Sequence, residues 1–156
     1  LNLRRFAGLK QFYIAFIWVL VCIVIPFMFE EEHFTGAMYF QKDQILYMIS
    51  QFCFIAALCI PFDIRDVNKD REEGTQSLPV ILGVEQSKFM GMFLMVIYFV
   101  LAFFIERENL LVIRGIILLF TLAALYFSEP NRHRYYCIYF VEGIIVLQTI
   151  LLAYLL

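Results

Sequence analysis

Apolar and polar positions fall along this chain in long blocks. Five apolar stretches stand out, at roughly 11–29, 43–62, 88–105, 109–127 and 135–156. Each is close to the ~20 residues an α-helix needs to cross a hydrocarbon core. Strands of a membrane barrel would be shorter and would alternate strictly, whereas helices satisfy their own backbone groups in lipid. The pattern therefore predicts an all-α fold, a polytopic transmembrane bundle of about five helices. Most connections are short, and short connections make sequence neighbours antiparallel. The exception is the stretch 63–87, which has no sustained apolar period and is expected to be a long, functional loop.

Composition strengthens the membrane reading. The 156 residues are 63% hydrophobic and 18% aromatic, with a mean hydropathy of +0.81. A water-soluble domain of this size cannot hide so much Phe, Ile and Leu in one core. The opening LNLRRFAGLK resembles a signal-peptide start, but the apolar run after it is of spanning length and ends in Glu30, Glu31 and Glu32 without a cleavage-type site. It reads as a membrane span. Leu1 in place of Met leads to the expectation that the chain is part of a larger product.

The distribution of charge is more informative than its sum of −2. Arg4, Arg5, Lys10, Arg65, Lys69, Arg71, Lys88, Arg132 and Arg134 flank one set of block ends, and only Lys42 and Arg107 flank the other. By the positive-inside bias the N-terminus, the 63–87 stretch and the NRHR connection are cytoplasmic. The expected location is thus an integral, multi-pass protein, in the inner (plasma) membrane if the cell is bacterial. Arg114, inside the fourth block near its outer end, is expected to snorkel or to pair with Glu106. Cys22, Cys53, Cys59 and Cys137 lie in apolar runs and read as small buried hydrophobes, and His33 and His133 are too far apart to suggest a metal pair. No nucleic-acid partner is expected.

Candidate chemistry concentrates in FDIRDVNKDREEG, residues 62–74, where nine of thirteen residues are charged or Asn. If helical geometry continues past Pro61, at about 100° per residue, Asp63, Asp66 and Asp70 fall within an arc of about 60°. Three like charges on one face repel, and a divalent cation removes that cost. Mg²⁺ takes carboxylate oxygens, keeps several waters and bridges to phosphate, while Arg65, Lys69 and Arg71 stand ready for the remaining phosphate oxygens. On spacing alone, a solvated loop that keeps the helix end out of lipid accounts for the charges equally well. Glu142, about two turns inside the last block, is either a cavity residue or a snorkelling one.

The run DIRDVNKDREEGTQSLPVILG resembles the second aspartate-rich motif of the UbiA superfamily of intramembrane prenyltransferases. The matching positions are Arg65, Asp66, Asp70, Gly74, Ser77, Leu78, Pro79, Leu82 and Gly83. LRRFAGLKQFYIAFIW and YYCIYFVEGIIVLQ are similar to the segments around that family's fifth and last helices. The resemblance implies the last five of nine helices, so residues 1–156 form the C-terminal part of one membrane-embedded domain whose N-terminal half is a missing partner. It implies Mg²⁺-dependent transfer of an isoprenyl group from a polyprenyl diphosphate to an aromatic or other lipophilic acceptor within the lipid, as in quinone biosynthesis. Asp66 and Asp70 are then the catalytic metal-binding pair, Asp63 a third oxygen donor, and Arg65, Lys69 and Arg71 the diphosphate contacts. Phe52, Phe54 and Phe62 are candidates to shield the allylic cation. The family's usual Lys between the Gly and the Thr-Leu-Pro is replaced, because positions 75 and 76 are Thr75 and Gln76. That replacement keeps an alternative open: a non-catalytic membrane protein of this fold that binds lipid or protein partners.

Overall fold

The computed structural model describes residues 10–30, 41–105, 108–133 and 135–155. The expectations that rest on Arg4, Arg5, His33, Glu106, Arg107 and Arg134 therefore lie outside the described residues. The elements in chain order are α1 (Lys10–Val19), a π-helical segment (Leu20–Val24), α2 (Ile25–Glu30), α3 (Lys42–Arg65), α4 (Val67–Glu72), α5 (Leu78–Leu82), α6 (Val84–Ile105), α7 (Glu108–Tyr126), a second π-helical segment (Tyr136–Val141) and α8 (Glu142–Leu155). Among the described residues there is no strand. Four helical stretches are long and apolar enough to cross a membrane, Lys10–Met28, Lys42–Arg65, Val84–Ile105 and Tyr136–Ala153, and Leu110–Tyr126 is a shorter apolar helix.

Side-chain contacts fix how the spans run past one another. Ile60 of α3 faces Gly91 of α6, and Ser50 Oγ donates to the Tyr98 carbonyl at 3.2 Å, so rising numbers on α6 meet falling numbers on α3. Lys88 donates to the Tyr126 carbonyl at 3.5 Å while Arg114 donates to Tyr98 Oη at 2.9 Å, which makes α6 and α7 antiparallel as well. The last span is tied to α7 by Tyr136 Oη, which donates to the Ala124 carbonyl at 2.6 Å. One end of the bundle thus gathers Lys10, the end of α3, α4, α5, the start of α6, the end of α7 and the 128–133 turn.

α3 is the central element. Half of its spanning window is buried, against 17–28% for the other three spans, and it packs on α1, α6, α7 and the final π segment. α6 shows why lipid is needed. Its inner stripe of Gly91, Leu94, Met95, Tyr98 and Ala102 is buried, yet Phe89, Phe93, Val96, Val100 and Phe103 are exposed on the opposite side. A helix apolar all round belongs in a bilayer. Gly91 eases the close approach: a Cβ there would stand 2.7 Å from Leu125 Cδ2 and 3.1 Å from Ile60 Cδ1, side-chain tips that would have to shift.

Two sequence expectations change. The expected 63–87 loop is largely helical: α3 runs through Pro61 to Arg65, and α4 and α5 occupy much of the remainder. Pro61 lies within this helix and is fully buried among its neighbours. Arg114 does not snorkel. Only 1% exposed, it is sandwiched between the rings of Tyr47 and Tyr98, 5.5 and 5.2 Å from their centroids. With its amide turned to satisfy both neighbours, Gln51 accepts from the two Arg114 terminal nitrogens at 2.6 and 3.2 Å and from Gln148 Nε2 at 3.2 Å. In lipid, an inward polar network satisfies the guanidinium better than an outer surface does.

Candidate active site

The acidic segment is built around a break. α3 ends at Arg65, Asp66 sits at φ −92° and ψ 8°, and α4 starts at Val67. The three carboxylates therefore do not share one helical stripe as continuous geometry would place them. Asp63 and Asp70 turn inward, at 6% and 7% exposure, while Asp66 is half-exposed. The turn 128–133 braces the break from outside. Asn131, in the left-handed region at φ 60°, donates its backbone N–H to the Arg65 carbonyl at 3.1 Å.

Arg65 and Asp66 form a two-point fork, Nε to Oδ1 and Nη2 to Oδ2, both at 2.8 Å. These hydrogen bonds hold the Asp66 carboxyl below the usual carboxylate range. Partial burial opposes them, and the charges of Arg65, Lys10 and Lys69 add to them. The Arg65 guanidinium lies over the Phe62 ring at 5.7 Å and meets the Cys137 side chain of the last span. Asp63 is different: Lys10 reaches its Oδ1 at 3.5 Å from α1, and its Oδ2 is buried without a partner among the described residues. Asp70 Oδ2 is buried and unpartnered too. So are the Ser77 hydroxyl, at the start of α5, and both amide atoms of Gln11.

Unpaired buried carboxylate oxygens are costly, and they are what a hard cation takes. The residues present fit Mg²⁺ on that observation. Among the described residues no three Asp, Glu, His or Cys groups close on one point, so a cation held here would need water and phosphate oxygens to complete its shell.

The remaining expected site residues are more dispersed. Lys69 is well exposed and 3.8 Å from Glu73, and Arg71 is exposed. Such an exposed pair is weak and readily exchanged. Glu142 is exposed at the start of α8. Of the aromatics, Phe54 stacks on Tyr98 and Phe52 on Phe12, whereas Phe62 carries the Arg65 cation. The sequence marked Lys10 as a flanking charge and Ser77 only as a motif position, and it did not single out Gln11 or Asn131. Gln11 had a signal: it repeats at helical spacing with Ala15 and Val19, the buried stripe of α1.

The UbiA prenyltransferase family, taken as a sequence profile, matches residues 1–137. No curated protein and no solved structure matches the chain.

Proposed function

Because the chain belongs to the UbiA prenyltransferase family, we propose that it transfers an isoprenyl group from a polyprenyl diphosphate to an aromatic or other lipophilic acceptor in the membrane, with Mg²⁺. The observation that carries this reading is the pair of buried, unpartnered carboxylate oxygens on Asp63 and Asp70 beside the ionised Asp66. Asp66 and Asp70 hold the metal, and Asp63 is the third oxygen donor. When bound, the metal neutralises the diphosphate so that it can leave. Arg65 gives up one arm of its fork to a phosphate oxygen, and Lys69 leaves its weak pairing with Glu73 to do the same, with Arg71 beside it. Phe62, already holding a guanidinium, presents a π face to cationic charge. In this reading the acidic end of the bundle faces the cytoplasm, as the cationic flanks suggest.

The test uses the full-length protein in lipid nanodiscs. Asp66→Ala and Asp70→Ala each abolish prenyl transfer and Mg²⁺-dependent binding of inorganic pyrophosphate. Unchanged product formation in both variants sinks the reading. It would leave the second reading, a non-catalytic membrane protein of this family, which Thr75 and Gln76 in place of the usual Lys favour.

A further inference from the structure

We propose that Lys10 is a direct diphosphate-binding residue, supplying from α1 the ammonium that the acidic motif lacks at Thr75 and Gln76. The inference rests on the prenyl-transfer reading and adds to it a contact from outside the motif. Lys10 stands at the first turn of α1, and its ammonium crosses to Asp63 Oδ1 at 3.5 Å. The side chain is 54% exposed, so the ammonium touches the buried carboxylate on one side and remains open on the other. An ammonium has three donors, and a single contact to Asp63 leaves the others for phosphate oxygens.

The motif's own cations are placed less well for this task. Arg65 has two of its donors committed to Asp66, and Lys69 and Arg71 are on the exposed side of α4, Lys69 with 72% of its side chain in solvent. Among the described residues, Lys10 reaches inward, to the carboxylate whose second oxygen is unpartnered. Its charge also helps keep Asp66 ionised, after the larger effect of Arg65. One cation is therefore shared between two carboxylates that the reading gives to the metal. With Asp63 held by a divalent ion, the Lys10 ammonium, 3.5 Å from Asp63 Oδ1, would be free to turn to a phosphate oxygen.

The experiment uses full-length protein in nanodiscs with MgCl₂ and, in separate arms, inorganic pyrophosphate and farnesyl thiolodiphosphate as probes. Lys10→Met weakens binding of both by about 10-fold or more, the worth of one charge-assisted hydrogen bond, and Lys10→Arg recovers most of it. A mutation-free arm acetylates the native protein: Mg²⁺ with pyrophosphate slows modification of Lys10, read by mass spectrometry, and Mg²⁺ alone does not. Should Lys10→Met not fold, the acetylation arm decides. If wild type binds the probes and Asp66→Ala does not, yet Lys10 is acetylated equally fast with and without them, the proposal falls and the prenyl-transfer reading stands. If wild type binds neither probe, both fall.

Discussion

Arg65 has two duties that pull in different directions. Its fork keeps Asp66 anionic, and it also occupies both oxygens of that carboxylate. Because the folded-state value of Asp66 is depressed, the carboxylate persists as pH falls and is lost only once pH drops through that lowered value. Removing Arg65 lets the value return toward the ordinary range. Arg65→Met is therefore expected to move the acid limb of Mg²⁺-dependent pyrophosphate binding to higher pH, measured as affinity against pH. An unmoved limb would mean that Arg65 does not set the ionisation. The same pair shows the limit of sequence reading at this scale. Spacing and family resemblance drew attention to Asp66 and Asp70. That Asp66 would sit on a helix break with its neighbour folded back onto it was not legible, because the break is braced by Asn131, which is remote in sequence.

At the scale of elements, the spans were legible because lipid demands long apolar helices, and their ends moved by only a few residues. The segment between α3 and α6 was not, since α4 and α5 are too short to carry an apolar period. They end instead on local geometry: Gly74 follows α4 at φ 69°, and Gly83 closes α5 at φ 93° and ψ 159°. Gly83 also accepts from the Ser87 N–H and hydroxyl, at 3.1 and 2.8 Å, which starts α6. Side chains are strained in that backbone region by about 1–3 kcal/mol, and a Cβ at Gly83 would come 2.8 Å from Gln86 Oε1. Gly83→Ala should lower the thermal unfolding midpoint in detergent. Gly91→Leu is expected to push α6 away from Leu125 and Ile60, costing about 1–3 kcal/mol by overpacking. Gly91→Ala asks only that flexible side-chain tips shift, so the two substitutions should differ clearly in the same melt.

For the whole molecule, the two ends of the bundle are organised differently. Among the described residues, the acidic end keeps buried polar atoms of Gln11, Asp63, Asp70 and Ser77 unpaired, whereas toward the opposite end Arg114, Tyr98, Gln51 and Gln148 are linked to one another, with Gln148 Oε1 left over. That linkage joins α3, α6, α7 and α8. Its existence could not be read from sequence, where a lone Arg near a span end has an easier route to water. Hydrogen bonds between helices in lipid are worth about 0.6–1.7 kcal/mol each. Arg114→Met, which removes several, should depress the unfolding midpoint while leaving Mg²⁺-dependent pyrophosphate binding by the folded fraction unchanged. Loss of that binding in protein that is still folded would show that the two ends are coupled. The Asn131 amide has a consequence in time as well as in space. A ribosome delivers Asp63, Asp66 and Asp70 early, but the donor that caps the Arg65 carbonyl emerges only after α6 and α7 have been made. A nascent chain can therefore hold all three aspartates before the helix break has its brace, so the acidic segment takes its final shape late in synthesis.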